Sequence, residues 1–261
     1  MTGCERIAGA FEGRAGRAAL MPYMMACFPD EQTSIAIGVA CAANGADLVE
    51  VGIPYSDPLA DGPVIHEAAT QALRTGATVE ASLRVAKAVS EAVPTVVMCY
   101  ANLVLSMGWE AFALELVNAG VSGLICPDLP LEEAPEALAA LDAHGLALVP
   151  LVAPTTPDSR LAEIGSRARG FLYTVSVAGT TGERSGSAVG IDAVVERARA
   201  NTSVPVAVGF GISTPEQASN TADAGAEGVI IGSRLIREAA TAADPAVAVG
   251  LLVKGFADSL R

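Results

Sequence analysis

Short apolar runs rich in β-branched residues alternate with segments of helical spacing along the whole chain. The runs typical of strands are residues 19–26, 47–52, 95–100, 122–126, 146–151, 170–176, 204–208 and 227–231. Strands that alternate with helices build a parallel sheet, because each helix carries the chain back to the start of the next strand. Eight such units in 261 residues have the size of a closed barrel. We therefore predict an α/β fold: a single (β/α)8 TIM barrel over residues 1–261, with a short N-terminal helix within residues 4–17.

The alternative arrangement of such units is an open, doubly wound sheet. That fold carries a glycine-rich phosphate-binding turn directly after its first strand. Here Cys27-Phe28-Pro29 follows the first strand, and the glycine-rich turns follow the last two strands instead. The position of the glycines therefore favours the barrel.

Charge and cysteine usage exclude several classes of protein. The formal net charge of −13 argues against a nucleic-acid or anionic-membrane partner. Five cysteines without Cys-x-x-Cys spacing indicate reduced packing thiols rather than disulfides or a metal site. No signal peptide is evident. No uncharged apolar run is as long as a membrane helix requires, which is about 18 residues. We expect a cytoplasmic protein that binds no metal, nucleic acid or membrane.

Three carboxylates lie where the second strand runs into a loop rich in Pro, Gly and Asp, within residues 48–63. Glu50 lies in the apolar strand, where burial raises its pKa and keeps the carboxyl protonated. Asp57 and Asp61 lie on the loop, and we expect Asp61 to stay ionised there. The pair then offers a proton donor, Glu50, and a fixed anion, Asp61. The alternative is that Glu50 pairs with a buried cation and the aspartates cap turns.

Small-residue loops follow the sixth, seventh and eighth strands, at residues 179–182, 209–211 and 232–233. Barrels often bind phosphate at this end, with backbone N–H groups and a helix N-terminus. Ser233 adds a hydroxyl donor. The longer segment 177–190 is either a lid or merely a flexible loop. The residues alone thus indicate a phosphorylated small substrate, with proton transfer by Glu50. Tight turns of any barrel are the alternative for these glycines.

The string from Leu48 to Pro63 resembles the signature of the tryptophan synthase alpha chain family, and the similarity runs the whole length of the chain. Further similar strings lie at 98–102, 128–133, 179–182, 209–213 and 232–233. The resemblance implies a retro-aldol cleavage of indole-3-glycerol phosphate to indole and glyceraldehyde 3-phosphate. Glu50 would protonate the indole ring at C3, and Asp61 would bind the indole N–H.

The resemblance also implies roles for residues around this pair. Tyr173 would lie near the glycerol chain, although its ring is core by default, and Thr181 would bond Asp61 on closure of the lid. The phosphate would be held by Gly182, Gly211, Gly232 and Ser233. This chain would need no cofactor. Its partner would be the pyridoxal-phosphate-containing beta chain in an alpha2-beta2 heterotetramer, contacted through Pro54, Asp57 and Asn102.

Three departures from the family pattern stand out. Cys27 occupies a turn where family members often carry glycine, Val177 stands where some carry arginine, and Leu20 occupies a position that is aromatic in some members. Three alternatives remain at this point. The chain could be a free-standing indole-3-glycerol phosphate lyase of secondary metabolism, or a non-catalytic activating subunit. Outside the family, a sugar-phosphate isomerase barrel would share the phosphate loops.

Overall fold

A parallel sheet forms the centre of the molecule. The computed structural model describes residues 1–12, 14, 16–175, 190–209 and 211–261. The strands are β1 (Ala19–Met25), β2 (Val49–Gly52), β3 (Thr95–Met98), β4 (Gly123–Ile125), β5 (Ala147–Val149), β6 (Leu151–Val152), β7 (Leu172–Val175), β8 (Val206–Gly209) and β9 (Gly228–Ile231). Their order in the sheet is β5-β4-β3-β2-β1-β9-β8-β7-β6, and every pairing is parallel.

The sheet closes through Pro150. β5 and β6 stand at the two ends of the strand order, yet only Pro150 separates them in the chain. Proline has no N–H for a sheet ladder, which is why the strand predicted over 146–151 divides in two. The Pro150 carbonyl still accepts the Tyr173 amide at 3.0 Å. The predicted barrel of eight βα units is thus confirmed, with one strand in two pieces.

Helices surround the strands. They are α1 (Gly3–Glu12), α2 (Glu31–Ala43), α3 (Pro63–Arg74), α4 (Val79–Ser90), α5 (Ala101–Met107), α6 (Trp109–Asn118), α7 (Ala134–Ala143), α8 (Asp158–Arg167), α9 (Ile191–Arg199), α10 (Pro215–Asp223), α11 (Ser233–Thr241) and α12 (Pro245–Ser259). No helix in these ranges is long and apolar enough to cross a membrane.

The helical segments after β3 and β9 are each divided in two. Gly108, at a φ of +92°, separates the short helix α5 from α6. The segment after β9 divides into α11 and α12, because the Asp244 side chain accepts the Val247 amide and Pro245 begins a new helix.

The turn after β1 explains one departure from the family pattern. Cys27 has a φ of +59°, in the left-handed region that favours glycine. Its amide donates to Ser34 Oγ at 3.1 Å, which helps hold this conformation. All five cysteines are free thiols, and all except Cys4 are buried.

Helix α1 closes the N-terminal end of the barrel. Ile7 and Phe11 are buried on its inner face, and the Phe11 ring lies 5.9 Å from that of Phe171. A Cβ atom at Gly228 would lie 3.1 Å from the Phe11 ring, so glycine at this position leaves room for that ring. The opposite end of the barrel, at the carboxyl ends of the strands, is left for a binding site.

We predict that Phe11→Ala lowers the free energy of unfolding by about 3 kcal/mol, because it removes a buried ring and leaves a cavity. Urea unfolding followed by circular dichroism measures this change. Val39→Ala on the exposed side of α2 is the control, and should change stability by about 0.5 kcal/mol or less. Equal effects of the two substitutions would show that α1 does not stabilise the barrel.

Candidate active site

Glu50 lies in the middle of β2 and points into the barrel. Its side chain is 0% exposed, and neither carboxylate oxygen has a hydrogen-bond partner within the described residues. Burial raises the pKa of Glu50 well above its ordinary value. Among the described side chains no cation pairs with it, so the alternative of a buried ion pair is not supported there. An uncharged, proton-carrying carboxyl group is the state that this environment favours.

Asp61 lies on the loop between β2 and α3, and its surroundings differ from the polar setting predicted from sequence. Burial raises its pKa, while a hydrogen bond from Tyr100 and the positive field of His66 oppose that rise. The Tyr100 hydroxyl donates to Asp61 Oδ1 at 3.0 Å and accepts the Ala60 amide at 3.1 Å. The carboxyl group is therefore held in one position by a donor that favours its charged form.

Tyr100 is a site residue that sequence reasoning missed. It directly follows β3, and its ring stacks on Tyr55 with 5.1 Å between centroids. The stack joins the loop after β2 to the loop after β3. The only sequence signal was the position of Tyr100 within the string 98–102, which does not indicate a contact with Asp61.

A cleft opens at the carboxyl ends of the strands beside these groups. The space within the cleft and its open mouth together is about 700 Å³. Its walls are mostly apolar and carry a few polar groups. The lining residues are Tyr23, Ala60, Asp61, Ile65, Met98, Pro127, Leu151, Tyr173, Gly211, Ile212, Ile230, Gly232 and Ser233. A mostly apolar cleft with a few polar groups is typical of a site for a small organic molecule. Glu50 lies behind this lining rather than in it.

Two glycines make room for the phenols that line the cleft. A Cβ atom at Gly52 would lie 2.7 Å from Cζ of Tyr23 and overlap its hydroxyl. A Cβ atom at Gly209 would likewise lie 2.7 Å from Cζ of Tyr173 and overlap that hydroxyl. Burial raises the pKa of both phenols well above the ordinary value, so they remain protonated hydrogen-bond donors.

One side of the cleft has the features of an anion site. Gly232 and Ser233 stand at the start of α11, where unpaired amides and the helix dipole favour negative charge. Gly211, at a φ of +81°, lines the same cleft. The predicted phosphate residues Gly211, Gly232 and Ser233 are thus brought together. Thr181 and Gly182 lie outside the described residues.

Comparison with known proteins was made on sequence and on structure. The family model "Tryptophan synthase alpha chain" matches residues 11–253. The chain is 46% identical to the tryptophan synthase alpha chain of Prochlorococcus marinus (strain MIT 9313), over 92% of this chain and 88% of that one. It is 47% identical to that of Gloeobacter violaceus, over 91% and 88% of the two chains. The chain belongs to the tryptophan synthase alpha chain family.

Solved structures agree with this membership. A structure of tryptophan synthase from Mycobacterium tuberculosis superposes with a TM-score of 0.91 at 39% identity and covers 98% of both chains. The tryptophan synthase alpha subunit of Legionella pneumophila str. Paris superposes with a TM-score of 0.90 at 33% identity and 98% coverage of both chains. The TIM barrel fold of this family member is therefore shared over nearly its whole length.

The residues that the resemblance assigns to a partner interface differ in exposure. Asp57 and Asn102 are exposed, whereas Pro54 is buried beneath the loop. Apolar side chains stand near them in sequence: Leu59 is 78% exposed and Leu105 is 60% exposed. In the described residues no group of three or more His, Cys, Asp or Glu side chains is placed to bind a metal ion.

We predict that Glu50→Gln makes the protein more stable than the wild type as the pH rises above 4.5, the ordinary glutamate pKa. Below that value both folded and unfolded wild-type chains carry the Glu50 proton. Above it the unfolded chain loses the proton and the folded chain keeps it, so wild-type stability falls by up to about 1.4 kcal/mol per pH unit. The fall stops once the pH passes the raised folded-state pKa.

Urea unfolding of both proteins over a series of pH values measures the difference. Glu67→Gln on the exposed face of α3 is the matched control for replacing a glutamate. A stability difference between wild type and Glu50→Gln that does not change with pH would contradict the raised pKa.

Proposed function

We propose that this chain is the alpha subunit of tryptophan synthase, a carbon–carbon lyase that cleaves indole-3-glycerol phosphate to indole and glyceraldehyde 3-phosphate. One observation carries the proposal beyond family membership. A buried, uncharged glutamate lies behind an apolar cleft that has a carboxylate on one wall and a helix N-terminus on another. These groups match the ring, the ring nitrogen and the phosphate of this substrate.

Glu50 acts as the acid and then the base of the reaction. Its carboxyl proton goes to C3 of the indole ring, which gives a positively charged indolenine. The carboxylate so formed takes the proton of the hydroxyl on the adjacent side-chain carbon. The electron pair of the O–H bond then forms the aldehyde C=O, and the pair of the broken C–C bond returns to the ring as indole. The raised pKa of Glu50 suits the first step, because it supplies a proton near neutral pH.

Asp61 stabilises the charge that this protonation creates. Its carboxylate accepts a hydrogen bond from the indole N–H, where the positive charge of the indolenine develops. The Tyr100 hydroxyl holds the Asp61 carboxylate in place, since it already donates a hydrogen bond to Asp61 Oδ1. A fixed anion in a partly buried site acts more strongly than one in water.

The remaining cleft residues hold the other end of the substrate. Gly211, Gly232 and Ser233 bind the phosphate together with Gly182, and Tyr173 lies against the glycerol chain. The family resemblance assigns Thr181 a bond to Asp61, and Thr181 lies outside the described residues. The geometry of the first three residues and of Tyr173 in one cleft supports these assignments.

The proposed partner is the tryptophan synthase beta chain. The alpha chain carries no cofactor, whereas the beta chain uses pyridoxal phosphate and receives the indole, in an alpha2-beta2 assembly in the cytoplasm. Asp57 and Asn102 face that partner, together with the exposed Leu59 and Leu105. Pro54 supports the loop from beneath.

Release of indole from indole-3-glycerol phosphate tests the proposal. We expect slow release by the purified chain and a large gain on adding a tryptophan synthase beta chain. Glu50→Gln should abolish release with and without the partner, while binding of glycerol phosphate is retained. Fast release alone would indicate a free-standing lyase. No release by the wild type in either condition would overturn the proposed substrate, and wild-type turnover by Glu50→Gln would overturn the role of Glu50.

We predict that Gly211→Asp raises KM at least about 10-fold, because it places a negative charge in the phosphate site. Gly211→Ala is the matched control for the added side chain at a φ of +81°, and steady-state kinetics measures both. An unchanged KM for Gly211→Asp would place the phosphate elsewhere in the cleft.

A further inference from the structure

Glu50 must contact the substrate to act, yet the lining of the cleft does not include it. On the inner face of the barrel its nearest neighbours are set by register. Tyr23 pairs with it on β1, Val96 pairs with it on β3, and Leu48 and Gly52 flank it along the chain. Of these four, only Tyr23 carries a polar side-chain atom.

The Tyr23 ring extends along the inner wall towards the mouth of the barrel. Its hydroxyl lies over Gly52, because a Cβ atom there would overlap it. Residues 50 and 52 face the same side of β2 and are separated by about 7 Å along the strand. The hydroxyl is therefore on the mouth side of Glu50, within range of a carboxyl group that turns towards the cleft.

The Tyr23 hydroxyl is available for such a contact. Tyr23 lines the cleft, and within the described residues its hydroxyl makes no hydrogen bond. The two Glu50 oxygens are equally without a partner there. A donor that borders the cleft thus lies beside an acceptor that is fully buried, and neither makes a hydrogen bond within the described residues. Leaving the buried acceptor unpaired is costly in a low-dielectric interior.

We propose that the Tyr23 hydroxyl donates a hydrogen bond to Glu50 during the reaction and holds the carboxyl group towards the cleft. This inference rests on the proposed cleavage and makes Tyr23 a positioning residue for it. The bond strengthens when Glu50 has given up its proton, because a charged acceptor forms the stronger hydrogen bond. Tyr23 thereby stabilises the carboxylate that must next take the hydroxyl proton of the substrate.

Four other titratable groups lie around Glu50 and Tyr23. From across the barrel Tyr173 on β7 also faces Glu50, while β3 presents only Val96 and Met98. Tyr23 in turn faces Asp61 and Tyr100, and Asp61 faces His66. Among these described groups, Tyr23 alone adjoins Glu50 on a neighbouring strand.

Tyr23→Phe tests the inference, because it keeps the ring and removes only the donor. We expect kcat to fall about 10-fold or more, with KM changed about twofold or less. Glu50 must start protonated, so activity falls as the pH rises through its pKa. Loss of a donor to the carboxylate raises that pKa, and the alkaline limb of the kcat profile should move to higher pH. Ser122→Ala, which removes a buried, unpartnered hydroxyl outside the cleft lining, is the control.

Infrared difference spectroscopy measures the protonation state of Glu50 without turnover. The protonated-carboxyl band that is lost in Glu50→Gln belongs to Glu50. This band should persist to higher pH in Tyr23→Phe than in the wild type. Gly52→Ala gives a second route, since the added Cβ displaces the hydroxyl and should move the band in the same direction.

The outcomes separate this inference from the proposed function. A wild type that releases no indole overturns the proposed function. A wild type that does, beside a Tyr23→Phe variant with unchanged kcat and pH limb, overturns the inference alone. A lower kcat with an unmoved limb and band, or an equal shift in Ser122→Ala, also overturns it, because the effect would then be merely structural or unspecific.

Discussion

The desolvation of Glu50 is the constraint on which the rest of the site depends. A carboxyl group inside a barrel cannot ionise cheaply, so it carries a proton at a pH where an exposed glutamate would not. The closed strand order provides this environment, because no sheet edge admits water beside β2. The protonated state of Glu50 therefore depends on the closure of the barrel.

The second carboxylate shows how one barrel supports two different acids. Asp61 stands on a loop rather than a strand, and it has what Glu50 lacks in the described structure, a hydrogen-bond donor at 3.0 Å. Burial acts on both groups, but Tyr100 opposes it only at Asp61. The two pKa values are thus pushed apart by hydrogen bonding as well as by depth, which is the arrangement that separates an acid from a fixed anion.

The strands and the acid loop could be predicted from sequence, because each depends on local pattern. Apolar runs, helix stops and the string 48–63 are readable without knowing what they touch. The division at Pro150 was also local in origin, yet the apolar run around it concealed it. The burial of Asp61 and its bond to Tyr100 could not be predicted, because they depend on the stacking of Tyr55 on Tyr100 between two loops. Tyr23 was missed for the same reason, since its register with Glu50 exists only in the assembled sheet.

Absent side chains shape the cleft as much as the side chains that line it. Gly52 and Gly209 stand opposite phenol hydroxyls. A Cβ atom at Gly232 would lie 3.4 Å from the nearest ring atom of Tyr23. A single methyl group at either of the first two would move a hydroxyl that borders the cleft. In a sequence pattern such glycines indicate only turns or interruptions of strands. Their function becomes visible when the neighbouring strand supplies the group that fills the space, and at Gly52 that group is the Tyr23 hydroxyl.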